Sequence, residues 1–326
     1  MLRKILPLLF LIVLAISPLL MPNNYYIQLL VYGVIFTVAA IGINFIYGFT
    51  GYISFAQAAF LGIGAYTAAL LSVDYGWPPF LTWIAVIVIS AIFGVLLGVP
   101  ALKLKGHYLA MATIGFTFVL QALLQNTKFT HGAQGVNGIP PLAIGSFKAD
   151  SPLSFFYVAL VVTLLLYLIQ RNILKSKFGR AFLAIREDET AASSSGIDLT
   201  KTKVVAFVLS AIYGGFAGAL YAQFSNYISP DTFSFDESIQ LFTMTLLGGS
   251  GTLFGPVVGS FIVTFLPEIL RPVQDYYMAI YGLGIFFIVT FLPQGIVPVF
   301  NLLLQTKKKE TGFTVNPTSP NKGGVV

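Results

Sequence analysis

The chain has 326 residues, of which 18 are basic and 12 acidic; at 9% charged it falls far below the roughly 80 charged residues of an ordinary globular chain this long. Its 56% hydrophobic content, 30 phenylalanines and mean hydropathy of +0.85 exclude a cytosolic enzyme, a disordered chain and a collagen-like scaffold. It has no cysteine, which removes disulfide staples, iron–sulfur clusters, thiol catalysis and Cys-rich zinc sites. What remains is an integral membrane protein.

A bilayer-spanning helix takes about 20 largely apolar residues. In chain order the predicted spans are 5–21, 27–47, 52–73, 80–102, 107–126, 153–170, 204–222, 238–247, 253–270 and 277–299. The first follows Arg3 and Lys4 and reads as an uncleaved span, because no small-x-small cleavage site precedes Pro22 or Asn23. The stretch 238–270 is interrupted at Gly248, Gly249 and Gly251, and its first piece is too short to cross alone. A broken or re-entrant element fits it, tolerated where the backbone is buried in protein or lines a water-filled cavity. The predicted fold class is all-α, a polytopic membrane protein of about ten transmembrane helices. Residues 1–306 form one transmembrane domain, and the polar tail 307–326 reads as disordered, its lysines at the headgroups.

Lys and Arg are retained on the cytoplasmic side of a membrane. With both termini inside and ten spans, the cytoplasmic loops hold Arg3, Lys4, Lys103, Lys105, Arg171, Lys175, Lys177, Arg180, Arg186, Lys201, Lys203, Lys307, Lys308, Lys309 and Lys322. Only Lys128, Lys148 and Arg271 fall outside. This asymmetry supports an even number of spans in a multi-pass protein with both termini cytoplasmic. It also accounts for a pI near 9.3 without nucleic acid.

No predicted span has an ionisable group at its centre, which argues against a proton-coupled carrier and leaves sodium coupling through carbonyls open. No G-x-x-x-x-G-K-[ST] loop, H-E-x-x-H motif or paired intramembrane aspartates occur, so the chain reads as neither an ATPase nor an intramembrane protease. His107 and His131 fall on opposite sides of the predicted membrane, which excludes a two-histidine metal site; His107 is expected at the interface beside Lys105.

Two regions carry candidate function. From Tyr47 to Ala69 the chain is uncharged and dense in small residues, among them Gly48, Gly51, Ser54, Gly62 and Gly64. Small residues at helical spacing make a packing face. Ser54 and Gln57, and more weakly Asn44, Thr113, Thr117, Gln121 and Gln125, either bond a neighbouring helix or line a path for a small polar solute. The turns Gly48-Phe-Thr-Gly51 and Gly248-Gly-Ser-Gly251 occupy equivalent places between spans, as in a structural repeat, although ordinary turns need glycine too. The second region is the loop 171–203, the longest cytoplasmic one. Within it Ala181, Phe182, Ile185 and Ala192 share one face of a helix, with Arg180, Arg186, Glu187 and Glu189 elsewhere around it and a stop at Ser193–Gly196. That helix lies on the membrane surface or docks a partner; no base or ligand beside Glu187, Asp188 and Glu189 makes them catalytic.

The segment Glu189-Thr-Ala191-Ala192-Ser-Ser-Ser-Gly196 resembles the E-A-A-x-x-x-G motif of bacterial ABC-importer permeases, with one extra residue after Glu. Together with GYISFAQAAFLGIGAYTAA, LKGHYLAMATIGF, FGRAFLAIREDETAASSSGID and LLGGSGTLFGPVVGS, it is similar to branched-chain amino-acid permease subunits of the LivM type over roughly residues 25–300. One departure is His131 at the start of the outer-loop pattern, where relatives usually carry Thr or a small residue before Gly-Gly. The resemblance implies an ABC-importer permease fold that pairs with a second, homologous permease subunit. It further implies two cytoplasmic ATPase subunits and an extracytoplasmic binding protein that delivers leucine, isoleucine or valine. The chain would then need no cofactor of its own, ATP being bound by the partners, and would touch only protein and membrane lipid. The coupling segment would be Gly179, Arg180, Arg186, Glu187, Asp188, Glu189, Ala191, Ala192 and Gly196, and the translocation path Asn44, Gly48, Gly51, Ser54 and Gln57. The same scaffold with urea, amides or a sugar as cargo, or an autonomous secondary transporter, are the rival readings.

Overall fold

The computed structural model describes residues 2–271 except 22, 102, 103, 105, 145 and 146, and in addition 282, 283, 286, 290 and 295–299. Helices dominate because hydrocarbon offers no partner to a free backbone N–H or C=O, so each spanning segment must satisfy its own. They are α1 (Leu2–Leu20), α2 (Asn24–Ile43, prolonged by a π turn over Asn44–Gly48), α3 (Gln57–Val73), α4 (Pro79–Ala101), α5 (His107–Asn126) and α6 (Pro152–Lys175). Two short helices, α7 (Lys177–Glu187) and α8 (Glu189–Ser194), lead into the long α9 (Leu199–Ser225), and α10 (Phe235–Gly249) and α11 (Gly255–Ile269) close the described part.

Among the described residues five helices are long and apolar enough to cross a bilayer: α2 with its π turn, α4, α5, α6 and α9. Phe10–Leu20, α3 and α11 are shorter apolar helices. Two predicted boundaries are corrected. The span predicted from residue 52 begins as a helix only at Gln57, because residues 51–56 run non-helically. The piece predicted as 238–247 is the 15-residue α10, which turns back into the 15-residue α11. Each arm is about 22 Å long at 1.5 Å per residue, short of a hydrocarbon core of about 30 Å, as expected of a broken element. The predicted span 277–299 lies mostly outside the described residues, and the tail 307–326 lies wholly outside them.

The all-α expectation is also modified between the spans. β1 (Val136–Asn137) pairs antiparallel with β4 (Tyr227–Ile228), and β2 (Ala143–Ile144) with β3 (Phe147–Lys148). β1 and β4 each follow a residue in the left-handed region, Gly135 and Asn226, and β2 follows Pro140 and Pro141, so no helix continues there and short ladders satisfy the backbone instead.

At the centre α2, α3 and α9 pack together, with α4 across α3 and α9, the α10–α11 hairpin against α2, and α6 against the remaining side of α2. In the central window of α2 83% of residues are buried, against 22% in α6. The small-residue run builds this centre. A Cβ on Gly64 would collide with the Gly215 backbone, and one on Gly218 with the Leu61 carbonyl, so α3 and α9 cross at glycine contact distance. At one end of the bundle lie α7 and α8 with Lys175, Lys177, Arg180 and Arg186, here called the basic side.

Candidate functional site

On the basic side the two G-x-x-G turns meet. The Asn44 side chain, fully buried at the start of the π turn, donates from Nδ2 to the Thr252 carbonyl and accepts at Oδ1 from the Gly251 N–H, both at 2.8 Å. Asn44 therefore stitches the end of α2 to the turn between α10 and α11. Gly51 and Gly251, the closing residues of the two motifs, share a left-handed backbone with φ of +79° and +76°. A side chain on Gly48 would strike both the Asn44 amide and the Gly251 N–H. The two turns are in direct contact and close on the same left-handed glycine, but their inner residues differ: Phe49 is helical where Gly249 has a φ of +120°, and Ser250 is extended.

The loop 171–203 is fastened beneath this seam. The single surface helix expected there is in fact two helices, broken at Asp188. Asp188 is extended (φ −161°, ψ 117°) and its carboxylate accepts from the Ala191 N–H at 2.9 Å, capping α8, as Ser176 caps α7. A second N-cap in mid-segment turns the chain because its own backbone leaves the helical region. The stop at Gly196 is where it was expected: φ is +81°, its N–H reaches the Ser193 carbonyl, and Ile197 N–H reaches that of Ala192. Phe182, Ile185 and Ala192 face the membrane domain and are buried, while Ala181 is only half-buried. The Phe182 ring packs edge-on against Phe45 of the π turn, which packs in turn against Tyr213 of α9.

Of the charged residues, Arg186 donates from Nη1 to the Gly48 carbonyl, and the same guanidinium lies against Gly251. Glu189 receives the Tyr52 hydroxyl on one carboxylate oxygen and Lys203 Nζ, at 2.9 Å, on the other. Lys203, almost wholly buried, also sits 4.7 Å from the Tyr52 ring centre. Burial first, and then the Glu189 carboxylate, push the Tyr52 phenol well above its ordinary range, so it remains a neutral donor. Arg180, Glu187, Asp188 and Ala191 are exposed, whereas Gly179 is buried so tightly against Leu174 that no Cβ fits.

Residues 51–56 cross from this seam into the bundle without helical hydrogen bonds. Their backbone is paired by side chains: Phe55 N–H donates to Thr113 Oγ1 at 3.0 Å, and Thr117 Oγ1 donates to the Phe55 carbonyl at 2.9 Å. Ser54 Oγ accepts from Ala56 N–H, and Ser238 of α10 accepts from Ala58 N–H, so the first turn of α3 is satisfied from two elements. Gln57 is buried, with Nε2 on the Ala39 carbonyl and Oε1 receiving Ser210, both at 2.8 Å. The amides of Asn44 and Gln57 are thus spent on neighbouring backbone and helices, the packing alternative for these two positions. Gln121 and Gln125 instead reach outward to Asp231, the latter at 2.9 Å. On the side away from the basic loop, His131 lies 3.2 Å from the Asp74 carboxylate. Among the described residues no group of three His, Asp or Glu gathers to hold a metal.

The family model for the permease component of branched-chain amino acid transport systems matches residues 25–289. The chain belongs to that family. The high-affinity branched-chain amino acid transport system permease protein LivM of Salmonella typhimurium is 31% identical over 321 residues, covering 91% of this chain and 76% of that protein. LivM of Escherichia coli matches equally well, and LivH of Escherichia coli is 27% identical over 73% of this chain and 84% of its own. No solved structure matches the chain. This is a LivM-type ABC permease of the cell membrane, and its homologues are transport permeases rather than enzymes. Likeness to both LivM and LivH implies a pair of permease subunits.

Reading the permease sequence alone misses four residues of this site. Tyr52 and Lys203 complete the Glu189 cluster, but the first looks like part of a span and the second like one more interfacial lysine. Leu183, 45% exposed, stands on the outward face of α7 between Arg180 and Glu187, and Phe178, 41% exposed, begins the stripe of Phe182 and Ile185 at the first turn of α7. The signal of Leu183 was present: it is a large apolar residue off the stripe formed by Phe178, Phe182 and Ile185.

Proposed function

We propose that this permease forms half of the translocation path of an ATP-driven importer of leucine, isoleucine and valine. Its partners are a second, homologous permease, two cytoplasmic ATPase subunits and an extracytoplasmic binding protein. The basic side faces the cytoplasm, with both termini there, in keeping with the retention of Lys and Arg. The observation that carries the reading is the position of Arg186, one turn from the outward face of α7 and bonded into the seam of the two G-x-x-G turns. A push on α7 therefore reaches the ends of α2 and α10 together through Arg186, and α9 through Phe182, Phe45 and Tyr213. Alternating access by rocking one bundle against another needs a link of this kind.

The docking face is Arg180, Leu183, Glu187 and Ala191, an exposed mixture of apolar and charged groups, with Phe178 exposed at the start of α7. Gly179, Asp188, Ala192 and Gly196 shape the segment, and Arg186 and Glu189 anchor it. The path runs along the non-helical residues 51–56. There Gly51 is exposed, while Ser54 is buried and holds the Ala56 N–H, so it shapes the entry to α3. Gly48, Asn44 and Gln57 brace that wall from behind. ATP binds on the partner subunits, so no cofactor site is needed in this chain.

Reconstitution tests the reading. Vesicles holding this permease with its permease partner, the ATPases and the binding protein should accumulate labelled leucine on ATP hydrolysis, and not urea or ribose. Leu183→Asp on the outward face should abolish uptake and release the ATPases while the membrane subunits stay paired. ATP-independent uptake by this chain alone would overturn the importer reading, and full uptake by Leu183→Asp would overturn the docking face.

A further inference from the structure

Beside α6 is an apolar groove that the transport reading does not use. It encloses about 470 Å3, within the range of sites for small molecules, and runs between α1, α2, α6 and α11. Its axis follows α6 from Leu160 to Arg171, a rise of about 16 Å, which is roughly one leaflet of a hydrocarbon core about 30 Å thick. The deep end is closed where the Tyr157 hydroxyl, 3.2 Å from the Ala15 carbonyl, pins α1 to α6. The walls are apolar, with Phe10 of α1 edge-on to Phe254 and Phe261 at 5.2 and 5.9 Å. Its threonines are already paired, Thr37 with Ser260 and the Gly33 carbonyl and Thr163 with the Val34 carbonyl, and the one other hydroxyl among the described residues of the lining is that of Tyr167, one turn from Arg171. Polar capacity is therefore confined to the Tyr167–Arg171 end.

The mouth of the groove differs from its interior. Arg171 lines it, exposed, one turn before α6 ends at Lys175, so its guanidinium stands at headgroup height on the basic side. No acidic side chain lies within ion-pair distance of Arg171 among the described residues. We infer that this groove is a binding site for an anionic phospholipid, with its phosphate on Arg171 and one acyl chain laid along α6 between α1 and α11. Depth of one leaflet, a dry interior and a cation at the open end match that molecule in length, polarity and charge. The site goes beyond the transport reading and stands or falls independently of it.

Native mass spectrometry of the purified transporter tests the site, after equilibration in vesicles of equal phosphatidylglycerol and phosphatidylethanolamine. The wild type should retain phosphatidylglycerol in preference, and Arg171→Gln should lower that retention about fivefold, the worth of one basic residue at the headgroups. Arg171→Lys should keep most of it. Val257→Trp, which fills the groove and leaves Arg171 in place, should lose the lipid as well. Should that variant fold poorly, phosphatidylglycerol with a photoreactive acyl chain should insert into residues 160–171 and 253–261 of the wild type. No preference in the wild type, unchanged retention in Arg171→Gln, or insertion spread over the other outer helices would overturn the inference. So would a disulfide between Leu164→Cys and Phe286→Cys in this cysteine-free chain, which would show the groove filled by its own last span.

Discussion

Arg186 concentrates two demands in one side chain: a long reach and five donors in a planar fork. A hydrogen bond from a charged donor is worth about 1.5–3 kcal/mol when its loss leaves a carbonyl unpaired. Arg186→Gln should therefore leave insertion and subunit pairing intact and cut ATP-driven uptake at least tenfold, read in reconstituted vesicles. Glu189 behaves differently, because its carboxylate holds both Tyr52 and the nearly buried Lys203. Removing it strands a cation, so Glu189→Ala should lower the thermal stability of the solubilised permease as well as its transport. Lys203→Met in the same background should restore much of that stability, since removing both partners costs less than removing one. Gly251→Ala adds a left-handed strain of about 1–2 kcal/mol to a clash with the Arg186 guanidinium, and should phenocopy Arg186→Gln with a lower melting temperature.

Among the elements, α3 and α9 form a pair that only glycine allows. Gly215→Leu drives a side chain into α4, against Ser90 and Val86, and should abolish the folded protein. Gly115 of α5 has open space around it, and Gly115→Ala should be neutral or slightly stabilising in the same melt. The N-terminus of α9 offers a pH test. Asp198 caps it, and the Lys201 backbone N–H holds the Asp198 carboxyl below its ordinary range. A carboxyl lowered in the folded state contributes stability that is present above its unfolded value and lost as pH falls through its folded value. The stability gap between wild type and Asp198→Asn should accordingly be flat at neutral pH and close only in strong acid, below the ordinary aspartate range, as followed by tryptophan fluorescence.

For the molecule as a whole, the absence of cysteine makes sidedness directly measurable. A single cysteine at Ser194 on α8 should resist a membrane-impermeant maleimide in intact cells and react once the membrane is opened. One at Gly138, in the loop between α5 and α6, should react in intact cells. Labelling of both from the same side would overturn the orientation with a cytoplasmic basic loop. The same division explains why the chain is so poor in charge. Most of the basic residues that the structure describes, from Arg171 to Lys203, lie on or beside α7 and α8, while the interior is held largely by glycine contacts and side-chain amides.

Composition by itself determined the membrane class, most helix positions and the place of the long charged loop 171–203, because hydrocarbon admits few solutions and charge can stay only where water is near. The motif order determined the family. Sequence left open whether Asn44, Ser54 and Gln57 pack or line a path, since a polar side chain in a span satisfies either role. Tertiary structure decided that for the two amides by supplying their partners, from Ala39, Ser210, Gly251 and Thr252. It also broke the expected surface helix at Asp188, because a local cap outweighed a continuous apolar stripe. The two glycine turns were visible as text 200 residues apart; only folding could bring them into contact beneath one arginine.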